Sequence, residues 1–501
     1  MNRIKSLIPV LLIALLTACG GGGGGNSGNN GSSALNDQNQ SPADTTAPVI
    51  TLSGDSPQQV ELNAQYVEAG ASADTGEDVV IDSSAVDTAT IGSYTVTYNA
   101  TDAAGNVATA VTRTVNVVDS SATATATKLS VLTSVVDDII IPNYKNLSDE
   151  AAQFAATDEA LATYCDAIGT ADEAARLEDA QNSWKSLMQA AQKTELHIIG
   201  PAALNNKSLR NRVYFYQEKD NLVDTVSTCA VDAAVANADS QPDFEVAATS
   251  NNQRGLSAIE YLLFTTSLDH TCSGNVPAVT GWNALADGDK KAQRCALAEL
   301  VAEDVAVNAE QIHSDWATYR GSFLNPDEIG TTFELMTDGL FYFEKYTKSA
   351  KLNGPLGIDA LCSNELTCPD FIESPYSETS LENIKSNAEQ LLAIFSSGLD
   401  ELADQAAPVP WSDTFKDLIN DVIDYTEALD SEVSLSDQVA SITNNTDVAA
   451  CESAFGSPDT VSALPICNLG GLVKRVTDDL KIEFITYLGV DLPEGAGGDT
   501  D

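Results

Sequence analysis

The longest continuous pattern in the chain is a helical one, and it spans residues 128–492. Apolar residues recur there with a period near 3.6, beginning with Leu129, Leu132 and Val136. The two-residue alternation typical of strands is absent over these roughly 365 residues. Because this length exceeds that of one four-helix bundle, we expect an all-α main domain of two packed helical bundles.

A shorter segment before the helical region, residues 48–118, has the opposite pattern. Residues 94–98 alternate with a period of two, and DAAGN (102–106) predicts a turn between two strands. About 70 residues of this kind suit a small all-β sandwich. The stretches DTTAPVITL, YVEAGASA, IGSYTVTYNATDAAGN and TRTVNVVD resemble bacterial immunoglobulin-like domains. That resemblance implies a spacer or adhesive module.

The first eighteen residues predict an export signal that ends at a cysteine. Arg3 and Lys5 precede an apolar run, and LTAC (16–19) closes it. LTAC resembles the bacterial lipobox, which implies cleavage before Cys19 and attachment to the membrane through lipid on that cysteine. Gly20, by resemblance to sorting signals, favours an outer membrane lipoprotein on the periplasmic face or cell surface. A transmembrane anchor is the weaker alternative, because the apolar run is about half the ~20 residues that a span needs.

Three further segments carry little that is apolar to bury. Residues 19–47 form a Gly/Ser/Asn-rich tether after the lipidated cysteine, residues 119–127 a linker, and residues 493–501 a flexible acidic tail. We expect the tether to hold the folded part away from the membrane.

The net charge of −48 restricts the possible partners. Such a chain is repelled by the phosphate backbone, so we expect no nucleic acid partner.

Eight cysteines remain after the lipobox cysteine is set aside. An even number in an exported chain indicates disulfides. Short loops would be closed by pairs 272–295, 362–368 and 451–467, with 165–229 as the fourth pair. The candidates are Cys165, Cys229, Cys272, Cys295, Cys362, Cys368, Cys451 and Cys467.

Four ordered stretches of the helical region resemble the imelysin family, also called the insulin-cleaving membrane protease family. They are VVDDIIIPNYKNL (135–147), SWKSLMQAAQKTELHIIGPA (183–202), RGLSAIEYLLF (254–264), and KLNGPLGI (351–358) followed by ESPYSETSLENI (373–384). The resemblance covers nearly the whole helical region and implies the imelysin fold.

The family motif G-x-H-x-x-E is incomplete in this chain. Gly255 and Glu260 match it, but Ser257 stands at the histidine position, and serine is a poor ligand for a transition metal. The resemblance implies ligand or metal candidates at Glu260, Ser257, Glu195, His197 and Glu373. It implies motif and supporting roles for Gly255, Arg254, Arg212, Trp184, Ser374 and Tyr376. No catalytic residue is assigned.

Two interpretations of Glu260 remain open. Its apolar neighbours on the helix predict burial, and a buried carboxylate needs partners, for which Arg212, Arg254 and the Ser257 hydroxyl are the candidates. Glu260 is then either a polar clasp between the two bundles or the centre of a ligand-binding site.

Three functions remain open, two from the imelysin resemblance and one from the immunoglobulin-like domain. The first is a lipoprotein that binds iron or an iron-bearing ligand and passes it to iron-uptake partner proteins, with carboxylates as hard ligands for iron or another metal ion. The second is a metal-dependent peptidase, with His197 in place of the missing histidine. The third is a structural or adhesive surface protein.

Overall fold

The computed structural model describes residues 43–219, 222–358, 365–457, 460–493 and 496. The expected signal peptide, Cys19, most of the tether, Cys362 and most of the acidic tail lie outside these residues. The chain divides into two units, and the boundary between them in the sequence lies between Asp119 and Ser120.

The first unit is built from strands, as its alternating sequence predicts. Its strands are β1 (Ile50–Leu52), β2 (Gln58–Glu61), β3 (Ala71–Ala73), β4 (Val80–Asp82), β5 (Gly92–Asn99) and β6 (Val111–Val118). One sheet has the order β2-β6-β5-β4, with β2 parallel to β6 and the other pairs antiparallel, and β1 pairs with β3. Val96, Tyr98 and Val115 are fully buried in its core.

The predicted DAAGN turn is confirmed at the β5–β6 connection. The Asp102 carboxylate accepts a hydrogen bond from the Asn106 backbone N–H at 2.8 Å, and Gly105 has φ +93°. An Asp side chain that bonds forward to its own backbone is a common turn device.

The second unit is helical and contains a short hairpin. Its helices are α1 (Ser120–Val135), α2 (Ile141–Phe154), α3 (Ala160–Ala167), α4 (Glu173–Gln192), α5 (Leu204–Val213), α6 (Thr228–Ser240), α7 (Gly255–Phe264), α8 (Asp287–Phe323), α9 (Ile329–Leu340), α10 (Gly354–Leu356), α11 (Ser380–Ile394), α12 (Asp400–Ala406), α13 (Ser412–Asp430), α14 (Leu435–Ala440), α15 (Asn445–Gly456), α16 (Pro465–Asp479) and α17 (Ile485–Leu488). π-Helical segments occupy Val136–Ile140, Phe343–Asn353, Phe395–Leu399 and Leu480–Phe484, and β7 (Gln217–Lys219) pairs antiparallel with β8 (Leu222–Asp224).

The helices pack as two bundles, which confirms the predicted all-α architecture. In the first bundle, α8 packs against α2, α5, α6 and α7, and in the second, α11 and α16 pack against α13. Helix α4 contacts α11 across the two bundles, where the Gln189 amide donates to the Asn383 side-chain oxygen at 3.0 Å. Residues of different bundles can therefore meet at one site.

The segment expected to be a linker, residues 119–127, is instead mostly helical. Helix α1 begins at Ser120, and the hydroxyls of Thr125 and Thr127 donate to the carbonyls four residues earlier, Ser121 O and Thr123 O. Threonine side chains that bond within the helix satisfy their own polar groups, so the Ala/Thr stretch extends the helix toward its N-terminus.

Two of the predicted disulfides are wrong and one is confirmed. Cys451–Cys467 forms as predicted, but the structure joins Cys165 to Cys295 and Cys229 to Cys272. Packing of α3 on α8 brings together cysteines 130 residues apart, so helix contacts override the preference for short loops. Cys368 is disulfide-bonded, while its predicted partner Cys362 lies outside the described residues.

Among the described residues, no helix has both the length and the hydropathy to cross a membrane.

Candidate functional site

The stretch RGLSAIEYLLF forms α7, and Gly255 at its start is required by the backbone. Gly255 has φ +76°, and a Cβ atom there would lie 2.8 Å from Val213 O and 3.0 Å from Arg212 O. Both the left-handed conformation and the close approach demand glycine. The Trp184 indole N–H donates to Leu256 O at 3.1 Å and anchors the same turn to α4.

Glu260 on α7 is buried and bonded to a loop of the second bundle. Its Oε1 accepts hydrogen bonds from the backbone N–H groups of Tyr376 (3.0 Å) and Ser377 (2.9 Å) and from the Ser377 hydroxyl (2.9 Å). Burial raises the pKa of the Glu260 carboxyl to about 7, although the bonds from Ser377 and Tyr376 lower it. The cost of removing the charged carboxylate from water is larger than the stabilisation of that charge by the three hydrogen bonds, so the pKa is raised overall.

The partners predicted for Glu260 are wrong. Arg254 forms a two-pronged ion pair with Asp304, at 2.6 to 3.0 Å, and the Ser257 hydroxyl donates to Phe215 O at 3.4 Å. Arg212 places its backbone carbonyl next to Gly255. The α8 helix supplies the carboxylate that neutralises Arg254, so this arginine is engaged away from Glu260.

Glu373 lies at the start of the loop that holds Glu260. Its Oε1 receives hydrogen bonds from the Tyr214 hydroxyl and from Gln192 at 3.0 Å, and it lies 3.1 Å from Lys351 Nζ. Lys351 also donates to Gln192 Oε1 at 2.8 Å and to Asn387 Oδ1 at 2.7 Å. The buried lysine is thus fully paired and holds Glu373 in one position.

Glu195 and His197 belong to a neighbouring buried layer. Glu195 pairs with Arg210 and accepts the Tyr342 hydroxyl at 2.5 Å. His197 is 2 % exposed, and neither ring nitrogen has a hydrogen-bond partner among the described residues. Burial lowers the pKa of His197 to about 3, so its imidazole is neutral at physiological pH.

A cavity of about 430 Å³ brings together five of the eleven predicted site residues. Its walls come from α7, from the residues before and at the start of α6, from the aromatic residues after α5 and from residues 369–376. Five sequence candidates line it: Ser257, Glu260, Glu373, Ser374 and Tyr376. Glu195, His197 and Trp184 are not among its lining residues.

Several lining or supporting residues were missed by the sequence analysis. Tyr214, Tyr216 and Asp370 line the cavity, while Ser377 and Lys351 hold its two buried carboxylates in place. Ser377 and Lys351 lie inside stretches already recognised as motifs, so a search of these motifs for hydrogen-bond donors would have listed them as candidates. The tyrosines resemble ordinary core aromatics, and nothing in the sequence separates them from these.

Comparison with known proteins places this architecture in a family. The family model described as Imelysin matches residues 140–455, more than half of the chain. The chain belongs to the imelysin family. A model for the Ig-like domain of bacterial surface proteins matches residues 50–117, and no curated protein matches the chain significantly.

Two solved structures are similar to this imelysin chain. An imelysin-like protein from Psychrobacter arcticum 273-4 is 17% identical, with a TM-score of 0.53 over 74% of this chain and 98% of its own. A protein described as an iron-regulated protein A precursor from Parabacteroides distasonis ATCC 8503 is 16% identical, with a TM-score of 0.47 over 70% of this chain and 95% of its own. At 17% identity, the likeness to the Psychrobacter arcticum protein shows the fold alone.

The imelysin motif residues of this chain do not assemble a protein-only metal centre. Within the described ranges, no group of three or more His, Cys, Asp or Glu residues is placed to hold a metal ion. His197 therefore does not join Glu260 in such a group, and Ser257 bonds to a backbone carbonyl. The cavity offers two buried carboxylates and several hydroxyls whose oxygen atoms could act as ligands.

Proposed function

We propose that this imelysin protein is a binding protein whose cavity takes an iron-bearing ligand as part of iron acquisition. The observation that carries the proposal is the convergence of family-motif residues on one cavity, where Glu260, Glu373 and Tyr376 meet from both bundles. Carboxylate and hydroxyl oxygens are hard donors, which suit ferric iron better than soft metals.

The few oxygen atoms that the cavity could offer as metal ligands favour a complexed form of iron over a bare ion. Glu373 Oε1 is already paired with Lys351, and Glu260 Oε1 is already bonded to the 376–377 backbone. The chain could thus offer one or two oxygens, and a chelator would bring the remaining iron ligands. Binding would then be recognition of the complex, mostly through hydrogen bonds.

The location and partners follow from the sequence and remain part of the proposal. Lipid on Cys19 would hold the protein at the outer membrane, and the tether of residues 19–47 would let it reach partner proteins of iron uptake. The immunoglobulin-like unit would serve as a spacer. The net charge of −48 disfavours nucleic acid as a partner.

A metal-dependent peptidase is the second candidate, and one observation favours it. A cavity carboxyl whose pKa is about 7 has the protonation behaviour of a general acid or base. However, Ser257 replaces the motif histidine, and the described residues contain no group of three or more His, Cys, Asp or Glu side chains placed to hold a metal ion. Binding therefore fits the geometry better. Digestion of unfolded casein by the zinc-supplemented full chain, abolished in Glu260→Gln, would reverse that order.

The binding proposal is tested by calorimetry on the full chain. The probes are ferric citrate and ferrioxamine B, each compared with its iron-free chelator, in about 0.5 M NaCl so that the background charge is screened. Glu260→Gln is compared with wild type. The matched control is Glu299→Gln, which changes a half-buried carboxylate in a separate cavity of about 370 Å³.

We expect one ferric complex to bind with a stoichiometry of one. Loss of a hydrogen bond to a charged group should weaken binding about tenfold or more in Glu260→Gln, while the Glu299→Gln control should bind like wild type. Failure of both ferric complexes to bind, or equal binding of the iron-free chelators, would contradict an iron-bearing ligand.

A further inference from the structure

The cavity has an acidic lining without a basic counterpart. Asp370, Glu260 and Glu373 line it, and the described lining residues include no lysine, arginine or histidine. Lys351 lies behind Glu373 and is enclosed by other protein groups. Because Lys351 offsets the charge of Glu373, the uncompensated negative charge of the lining comes from Asp370 and from Glu260 when it is ionised, and this charge favours positively charged ligands.

Glu373 has one carboxylate oxygen without a partner. The side chain is 1% exposed, and Lys351, Tyr214 and Gln192 all approach Oε1, whereas Oε2 has no hydrogen-bond partner among the described residues. A buried acceptor without a donor is costly, and an ionised one more so. A ligand that supplies an N–H group at this position would remove that cost.

Three aromatic side chains complete the walls. Tyr214 and Tyr216 stack with their ring planes 8° apart, and Tyr376 packs edge-on against Tyr261 at 5.3 Å. All three line the cavity, and Tyr376 is only partly buried. Tyrosine rings attract cations through their electron-rich faces, and cages of aromatic residues with carboxylates recognise substituted ammonium groups.

We propose that the ligand of this cavity carries a positively charged nitrogen, as an ammonium or guanidinium group. Its N–H groups donate to Glu373 Oε2 and to the exposed Asp370 carboxylate, and the tyrosines enclose its carbon atoms. This inference rests on the proposed function only in sharing its cavity. Where the iron proposal also holds, this nitrogen belongs to the face of the iron-bearing ligand that the protein recognises.

Matched probes separate the effect of a charged nitrogen on binding from the effect of the iron. Ferrioxamine B carries a pendant ammonium group beside its ferric trihydroxamate, and its N-acetylated form keeps the iron but loses that charge. Benzylamine and benzyl alcohol make the same comparison without iron. We expect each charged probe to bind at least tenfold more tightly than its neutral counterpart in about 0.5 M NaCl.

The four probes distinguish failure of this inference from failure of the proposed function. Equal binding of ferrioxamine B and its acetylated form would overturn the ammonium inference and leave iron binding intact. Binding of benzylamine without binding of either ferric complex would support the ammonium inference and overturn the iron proposal.

Variants assign the preference to named carboxylates. Glu373→Gln and Asp370→Asn should each reduce the preference for the charged probes, by about tenfold for the buried Glu373 and a few-fold for the exposed Asp370. Asp370→Asn keeps the test valid if Glu373→Gln does not fold. Glu299→Gln should keep the wild-type preference. A preference that survives in both cavity variants, or is lost in the control, would assign it to the overall charge of the chain.

Discussion

Replacement of Glu260 by glutamine should flatten the pH dependence of stability. The folded state holds the carboxyl with a pKa of about 7, because burial raises it from 4.5. A carboxyl whose pKa is raised on folding binds its proton more tightly in the folded chain than in the unfolded one. The stabilisation of the folded state by the protonated Glu260 carboxyl is therefore fully present below about pH 4.5 and is lost as the pH rises through about 7.

The magnitude follows from that difference in pKa. Each unit of difference corresponds to about 1.4 kcal/mol, so ionisation of Glu260 costs the folded state about 3 kcal/mol by pH 8. No reduction for solvent screening applies, since the side chain is 2% exposed. Glutamine keeps the acceptor oxygen for Tyr376 and Ser377 but cannot ionise.

The assay is urea unfolding followed by far-ultraviolet circular dichroism, which reports the helical unit, at pH 5 and pH 8. Wild type should lose about 2–3 kcal/mol more between these values than Glu260→Gln does, since part of the loss has already occurred at pH 5. Many other groups titrate in this range, but they are common to both proteins and cancel in the difference. If the free energy of unfolding had the same pH dependence in both proteins, this would refute the argument that burial raises the pKa of Glu260 more than the three hydrogen bonds lower it.

A second variant checks the cause of the pKa shift. The Ser377 hydroxyl lowers the pKa of Glu260, so Ser377→Ala should raise that pKa further and move the loss of stability to higher pH. The double variant with Glu260→Gln should show no such movement. A Ser377→Ala profile displaced toward lower pH would contradict the assigned role of this hydroxyl.

The remaining predictions concern Gly255 at the start of α7 and the disulfide between Cys229 and Cys272, of which Cys229 lines the cavity. Gly255→Ala should cost about 1–3 kcal/mol of unfolding free energy, because alanine at φ +76° is strained and its Cβ would contact Val213 O. Gly288→Ala, at an open helical position, should leave stability unchanged or slightly raised, and equal effects of the two changes would be inconsistent with this reasoning. Peptide mapping without reduction should join Cys272 to Cys229 and not to Cys295. Serine at both Cys229 and Cys272 should lower the free energy of unfolding by about 4 kcal/mol, because the bond closes 43 residues.

Local sequence patterns predicted the architecture well. The 3.6-residue period of the second unit and the two-residue period of β5 each reflect one buried face, which neighbouring residues encode directly. Gly255 and Glu260 could also be recognised, because they belong to one helix and one motif. The start of α1 was not predicted, because the Thr residues of this Ala/Thr stretch have a low helix propensity. The stretch becomes helical where it extends a helix that is packed further along.

Contacts between distant segments could not be read from the sequence, and they decide the chemistry of the site. Glu260 and Ser377 are 117 residues apart, and Cys165 and Cys295 are 130 apart. Arg254 was an equally reasonable partner for Glu260 until packing of α7 on α8 supplied Asp304. The sequence by itself determined which elements form and which faces are buried, because these depend on neighbouring residues. Only the tertiary structure decided that Glu260, Glu373 and Tyr376 share one acidic cavity, because that depends on how two bundles pack.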